Sequence, residues 1–389
     1  MAKTLAEAPI FYLCVDCGGT KTAAVVVSSD GTVLSRTLSG GSNVTYLGVS
    51  AFLLAVGSAV ASALATALSI PPISLPIKDE KDASGKPVSP FVLAAAWLGV
   101  SGLDSPATAV ILTPLLVDLL GVAPPRLILS NDTHLLASPV SGLPDVQSAA
   151  AVIGGTGSIV VTFREAATGA DGGEPLVQLA RTGGYGWILG DEGGGFDVGR
   201  TAIRKLCMQY DAESAGEQPQ APLASGAPLL RDRVLGQFGV SDVLDLLGAV
   251  HVADPVGPPP LGVSKWEYMH YPREARLSTL SPLVFTSAFD DGDLLACAVV
   301  EECADKLATQ IASILAPPGS PSLSDRRIVA ADSVVCFGGS LVAIDRYRQL
   351  VLNALAQHGH VFRHVEVVHD PATAGAKALA IAWKNRLHS

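Results

Sequence analysis

Short apolar runs broken by glycine fill the N-terminal part of the chain. Phe11–Val15 enters Asp16-Cys17-Gly18-Gly19-Thr20-Lys21-Thr22, Ala23–Val27 follows, and the turn Ser28-Ser29-Asp30-Gly31 leads into Thr32-Val33-Leu34. Apolar, β-branched-rich runs bounded by Gly and Asp predict three consecutive strands joined by tight turns. From Ala51 to Ile70 the period changes. Ser58, Ser62, Thr66 and Ser69 recur at steps of 4, 4 and 3, with Phe52, Val56, Val60, Leu64 and Leu68 on the opposite side. That spacing predicts an amphipathic helix. Val92–Val100 then reads as a strand, Ala107–Leu120 as a helix, and Arg126–Leu129 as a strand ending at Ser130-Asn131-Asp132. Further on, Ser287–Leu315 reads as one long helix, Ser333–Phe337 as a strand entering Gly338-Gly339-Ser340, and Pro371–Leu387 as an Ala-rich helix. Alternating strands and helices predict an α/β class. Lys78–Pro90, Ala212–Pro228 and Asp254–Gly262 read as surface loops.

Composition narrows the functional classes. At about 150 residues per domain, 389 residues suggest two domains or a two-lobed unit. A content of 49% hydrophobic and 16% charged residues raises the question of a membrane span, and no charge occurs between Arg36 and Lys78. The polar stripe on Ala51–Ile70, its alanine content and the lack of basic or aromatic anchors at its ends favour a buried helix of a soluble protein instead. A net charge of -10 removes the cationic field that nucleic acid or anionic lipid requires. Six scattered cysteines do not form a disulfide framework, and Met1–Ile10 lacks a signal-peptide pattern, so the expected setting is the cytoplasm, without membrane or nucleic-acid partners.

An internal repeat supplies the first chemistry. Shifted by 136 positions, Gly18, Gly19, Thr20 and Thr22 fall on Gly154, Gly155, Thr156 and Ser158, and a β-branched run, Ile159–Phe163, follows the second copy as well. The repeat implies two halves built on one plan. In each Gly-Gly-Thr turn the glycines allow close backbone approach, N–H groups converge on an anion and the hydroxyl adds a neutral donor. A plain hairpin turn that uses glycine for positive φ is the competing reading of each turn alone. Asp16, two residues before Gly18, shifts the first toward a phosphate held with a metal. Asp132 emerges where a strand ends, the side on which α/β proteins place ligands, although the same position suits a helix N-cap.

The segment Gly183–Gly195 combines glycines with Tyr185, Trp187, Asp191 and Glu192. A ring beside carboxylates suits a polyhydroxylated ligand, and the expectation is that Tyr185, Trp187, Ile188 and Leu189 are covered. Other motifs carry less. No P-loop or dinucleotide fingerprint is present, and Gly99-Val100-Ser101-Gly102 lacks a residue needed for a nucleophile elbow. Cys14 and Cys17, at odd spacing on a strand, face opposite sides as core thiols. His358, His360, His364 and His369 show no ligand spacing, and His134 reads as structural.

Taken in order, Asp16–Thr22, Gly99–Gly102, Asn131-Asp132, Gly154–Ser158, Gly190-Asp191-Glu192-Gly193 and Gly338-Gly339-Ser340 resemble the N-acetylglucosamine kinases and the wider BadF/BadG-type ATPases of the actin, Hsp70 and sugar-kinase superfamily, from about Phe11 to Ala380. The resemblance implies duplicated ribonuclease H-like lobes closing on ATP and sugar, with residues 1–139 and 140–370 as the lobes and helix 371–389 packing back on the first. It implies Asp16 on the Mg²⁺ side and Gly18, Gly19, Thr20, Lys21, Thr22, Gly155, Thr156 and Gly157 around the phosphates. Gly338, Gly339 and Ser340 take the adenosine turn. Asp132 is then the general base, with Asn43, Ser101, Gly102, Ser158, Tyr185, Gly186 and Asp191 lining the sugar pocket. Tyr185 stands where Trp is common, and Ile159 replaces an Asn of some members. Glucosamine, glucose and muramic-type sugars therefore stay open beside N-acetylglucosamine. An ATPase that activates a partner protein is the alternative class, and a homodimer is the one assembly left open.

Overall fold

The computed structural model describes residues 8–71, 73–77, 91–103, 105–166, 175–257, 268–319 and 325–387. The loop expected at Lys78–Pro90 lies outside them, and the loop from Asp254 is described only as far as Gly257. Among the described residues, ten strands form two five-stranded mixed sheets. In the first, β1 (Ile10–Cys17), β2 (Lys21–Ser28) and β3 (Val33–Gly40) form an antiparallel meander, and β4 (Val92–Val100) and β5 (Leu127–Ser130) extend it in parallel beyond β1. In the second, β6 (Ser148–Gly154), β7 (Ser158–Glu165) and β8 (Leu176–Gly183) repeat the meander, with β9 (Ser333–Gly338) and β10 (His364–Val367) parallel to β6. The orders β3-β2-β1-β4-β5 and β8-β7-β6-β9-β10 are the same plan twice. The fold is an α/β duplication, as the repeat predicts.

The long apolar segment becomes α1 (Val44–Leu68), which by length and composition alone could cross a membrane. Its environment here is a sheet. Phe52, Val56, Val60 and Leu64 are buried, Leu68 is half-buried, and Ser58, Ser62, Thr66 and Ser69 all face solvent. Burial of each such apolar side chain contributes about 1.5–3 kcal/mol relative to exposure. A second tie comes from β3, longer than expected because its alternate residues are hydroxyls rather than apolar. Ser35, Thr37 and Ser39 donate to the helix carbonyls of Ala63, Ala59 and Ala55 at 2.7, 2.7 and 2.8 Å. Next comes α2 (Pro106–Leu120), capped by Ser105 and closed by Gly121 in the left-handed region, as local chemistry predicts.

The remaining helices are α3 (Thr133–Ala137), α4 (Gly195–Ser214), α5 (Leu230–Phe238), α6 (Asp245–His251), α7 (Arg273–Ser278), α8 (Ser281–Thr286), α9 (Leu294–Ala312), α10 (Asp345–Gln357) and α11 (Pro371–Leu387). The single helix expected over Ser287–Leu315 is interrupted. A π-helical turn over Ser287–Asp291 ends at Gly292 with φ 72°, and Asp293 then caps α9 through Ala296 N–H at 2.9 Å. Helices α1 and α2 cover one face of the first sheet, where Phe52 and Leu112 meet Leu13 and Val15. On the far face of the second sheet, α4, α9 and α10 bury Val152 and Phe337. Between the sheets α3 and α11 share one core, joining Cys14 and Val25 of the first sheet to Val161 and Cys336 of the second. Cys14 and Cys17 fall on opposite faces of β1, and burial raises both thiols above the ordinary range.

Candidate active site

Parallel strands β1, β4 and β5 end side by side, and their C-terminal ends carry the first group of expected residues. Ser101 N–H donates to Cys17 O at 3.0 Å, tying the β4 turn to the end of β1 beside Asp16. After β3 the chain folds back onto the first glycine turn, with Ser42 N–H bonded to Gly18 O at 2.9 Å. Only glycine fits at position 41, where a Cβ would overlap the Gly19 carbonyl. Asn43 then caps α1 with Oδ1 on Thr45 and Tyr46 N–H, and its Nδ2 donates to Ser101 Oγ at 3.2 Å. Asn43, Ser101 and Gly102 are thus brought together beside Asp16.

Asp132 stands at the end of β5, held from behind by Trp97 Nε1 donating to Ser130 Oγ at 2.8 Å. Asn131, not Asp132, caps α3: its Oδ1 accepts from Thr133 N–H and Thr133 Oγ1 at 3.1 and 3.0 Å. The Asp132 carboxylate makes no cap bond. It lies close enough to Asp16 to perturb it. Burial first, then Asp132, pushes the Asp16 carboxyl up to about 6, opposed by the charge of Lys21.

The second sheet answers with an equivalent group. Gly155 N–H closes the second glycine turn on Gly157 O, and Leu341 and Val342 N–H both bond Gly154 O at 2.9 and 3.3 Å. The Gly338-Gly339-Ser340 turn is thereby laid against Gly155. After β8 the chain returns over the turn as it does after β3, with Gly195 and Phe196 N–H on Gly155 O and Thr156 O. Asp191 holds φ 63°, a left-handed conformation, and its carboxylate lies over Gly157, accepting Ser158 N–H at 3.2 Å. Strain of that kind persists only where surrounding bonds impose it.

Helix α3 joins the two groups. Leu135 fills the space a Cβ would need at Gly99, at the end of β4, and Leu136 fills the equivalent space at Gly338, at the end of β9. Asp132, immediately before α3, therefore lies beside the end of β4, at the start of the helix that also packs on the end of β9. We expect Gly99→Ala, whose Cβ would fall 2.5 Å from Leu135 Cδ1 and 3.2 Å from Asp132 Cα, to cost about 1–3 kcal/mol by overpacking. Urea unfolding of the variant against the wild type measures that cost.

No protein-family model matches the chain. An N-acetyl-D-glucosamine kinase from Dictyostelium discoideum is 26% identical over 201 residues, 51% of this chain and 55% of the relative. An N-acetylmuramic acid/N-acetylglucosamine kinase from Clostridium acetobutylicum is 25% identical over 190 residues, 49% of this chain and 48% of the relative. The chain spans about half the length of the curated relatives it matches. Among solved structures, proteins assigned as N-acetylglucosamine kinases from Porphyromonas gingivalis and Chromobacterium violaceum superpose with TM-scores of 0.55 and 0.52 at 20% identity, over 95% of this chain and 98% of theirs. The shared fold is the two-lobed, actin-like one. Over about half its length the chain is similar to N-acetylglucosamine kinases, and over nearly all of it the fold is shared with proteins so assigned.

Several expectations need correction. Thr22 and Ser158, expected at the ligands, turn inward: Thr22 Oγ1 bonds Gly40 O and Ser42 Oγ at 2.6 Å each, and Ser158 Oγ donates to Glu192 O at 2.7 Å. Both hydroxyls latch a hairpin to the loop that folds over it. Thr20 and Thr156, at the tips, remain exposed. The covered aromatic segment is also corrected. Trp187 packs on Phe196 with ring centroids 5.3 Å apart, whereas Tyr185, Ile188 and Leu189 are 61, 72 and 80% exposed. Tyr185 lines a cavity of about 420 Å³ with Glu192, Lys306 and Gln310, apart from the Asn43–Ser101 group. Gly186, beside it, has φ 78° and open space where a Cβ would stand.

Other contributors were not visible in the chain's motifs. Asp197, fully buried, accepts Gly193 N–H at 3.0 Å. Burial alone would raise its carboxyl, but that bond, Lys306 and Arg200 hold it below the ordinary value. Glu274 stands near Asp191, its carboxyl raised by burial and by that neighbour. Asp370 pairs with Arg36 at 2.7 Å and caps α11 through Thr373, adding negative charge near Asp16. Their signal is tertiary, since every partner is distant in sequence or lacks a motif. His134, as expected, is structural: it packs on Phe163, and burial lowers its imidazole to about 4.

Proposed function

We propose that the protein is an ATP-dependent sugar kinase that phosphorylates a primary hydroxyl, with O6 of N-acetylglucosamine as the preferred acceptor. One observation carries the reading: Asp132, relieved of capping by Asn131, stands at the start of a short helix that packs on the strand ends of two sheets, each bearing a glycine turn. In this reading the turns at Gly18–Lys21 and Gly155–Gly157 bind the phosphate tail through backbone N–H groups, with Thr20 and Thr156 adding hydroxyl donors. Gly338-Gly339-Ser340 takes the adenosine. Asn43, Ser101 and Gly102 orient the sugar. Asp132 accepts the proton of the attacking hydroxyl as its oxygen bonds to the γ-phosphorus, and the bond to the β–γ bridging oxygen breaks to release ADP. Asp191 and the backbone around it complete the pocket from the second lobe.

Mg²⁺ fits the donor set. Asp16 and Asp132 are hard oxygen ligands close enough to repel one another, and Mg²⁺ characteristically takes one or two carboxylates together with substrate phosphates and water. Asp16 would hold it, and when bound the ion neutralises charge on the phosphates. The two curated kinases act on N-acetylglucosamine, and one also on N-acetylmuramic acid, by their names. A coupled assay of ADP release over N-acetylglucosamine, N-acetylmuramic acid, glucosamine and glucose tests the proposal. Turnover of an N-acetylated hexosamine above the rest supports it; no turnover with any sugar refutes it.

Asp16 also predicts a trade between stability and activity. A carboxyl raised to about 6 in the folded chain binds its proton more tightly than the unfolded chain does at 3.8, so this group's contribution to stability falls as pH rises from about 4 to 6. Above pH 6 the native state carries the whole penalty. Asp16→Asn should therefore stabilise the ligand-free protein by about 2 kcal/mol at pH 7.5, with the gain shrinking toward pH 4.5. Urea unfolding at the two pH values checks this, and the same variant should lose ATP-dependent turnover.

A further inference from the structure

The loop bearing Asp191 is fixed at one residue, Gly193, from two directions. Gly193, with φ 75°, gives its N–H to Asp197 Oδ2 at 3.0 Å, while its carbonyl accepts the Tyr347 hydroxyl at 2.8 Å. Asp197 and Tyr347 are both fully buried. No side chain fits at Gly193, where a Cβ would fall 2.6 Å from Leu307 Cβ and 2.8 Å from Cys303 O. The two anchors differ in what stands behind them. Asp197 is held inside its own lobe by Arg200 at 2.7 Å and Lys306 at 3.3 Å. Tyr347 lies in the first turn of α10, directly after the Gly338-Gly339-Ser340 turn, and its ring packs on Phe285 with centroids 5.2 Å apart.

We infer that Tyr347 is a positioning residue that couples nucleotide binding to sugar binding, through its hydroxyl on the Gly193 carbonyl. The inference rests on the kinase reading and extends it. A nucleotide that orders the Gly338–Ser340 turn fixes the start of α10; through one buried hydrogen bond that fixes Gly193, and with it the neighbouring Asp191 over the second glycine turn. A buried carbonyl deprived of its donor has no substitute from water. Such a link is reciprocal, so sugar must tighten nucleotide by the same factor.

The test uses the full chain, N-acetylglucosamine and a non-hydrolysable ATP analogue with Mg²⁺, by calorimetry. In the wild type, the analogue should tighten sugar binding by a factor on the order of 5 or more. Tyr347→Phe keeps the ring and loses only the hydroxyl, and that factor should fall to about 1 while affinity for the analogue alone is kept. Asp197→Asn should weaken sugar binding with and without nucleotide and preserve the factor. A tyrosine with only a packing role would lower the melting temperature of the variant and leave the factor intact, which overturns the inference. So does a wild-type protein that binds sugar with no nucleotide effect. If no sugar binds or turns over in the wild type, the kinase reading itself fails and the inference falls with it. Should Tyr347→Phe not fold, amide exchange on the wild type decides: the analogue alone must protect the amides of residues 191–197, and unchanged exchange there overturns the coupling.

Discussion

Asp132→Asn is expected to bind ATP and sugar within about threefold of the wild type and to lose phosphoryl transfer by a factor on the order of 10² to 10⁴, the range of a positioned acid–base group. The structure makes this a clean substitution. Asn131 supplies the α3 cap, so removing the Asp132 charge leaves the helix start intact. Trp97 and Ser130 still hold the end of β5. Loss of the charge also relieves Asp16, whose carboxyl is pushed up in part by Asp132. The ligand-free variant should accordingly be no less stable than the wild type above pH 6. Single-turnover quench flow separates binding from chemistry. Unchanged turnover would remove Asp132 from the base role, and a large loss of sugar affinity would make it a binding residue.

Gly339→Ala should be the most damaging of the glycine substitutions in the Gly338–Ser340 turn, proposed to take the adenosine. Gly339 has φ 99°, and a Cβ there would lie 2.6 Å from Gly154 O and 2.8 Å from Gly154 C, both rigid backbone. Left-handed strain and overpacking each cost about 1–3 kcal/mol, so a total near 4 kcal/mol is expected. The displaced backbone is the one whose Gly154 carbonyl receives Leu341 and Val342 N–H. ATP affinity should fall at least tenfold in the fraction that folds. Denaturant unfolding and equilibrium nucleotide titration measure the two effects separately. The contrast is Gly19→Ala, where a Cβ meets nothing within 4 Å, and a change below about 1 kcal/mol is expected.

What could be read from residues alone follows a physical pattern. The meanders, the α1 polar stripe and the duplicated glycine turns rest on local period and turn chemistry, and these were legible. The offset of 136 positions held for the glycines. It missed that Cys17 pairs Thr22 across the first turn while Gly154 pairs Ser158 across the second, so the second turn is one residue shorter. The resemblance put Thr22 at the phosphates and Ser158 in the sugar pocket; which way their hydroxyls face depends on loops that return after β3 and β8. The break before α9 had a readable signal in Gly292-Asp293, a left-handed stop followed by a cap. Gly99 and Gly338 could not be read, since what they accommodate is Leu135 and Leu136. Trp187 resembled a platform for sugar until Phe196 supplied its partner.

Helix α11 packs against β1, β2 and β4, and Gly375 brings it onto Cys14. Those strands are made early, whereas α11 lies at Pro371–Leu387, after the whole second sheet. On the ribosome, the part of the inner surface of the first sheet that α11 covers therefore stays bare while some 270 further residues are added after β4. Shortening the chain before Pro371 would strip the earliest part of the molecule, leaving Tyr12, Cys14 and Val25 open to self-association, while the later half keeps its own helices.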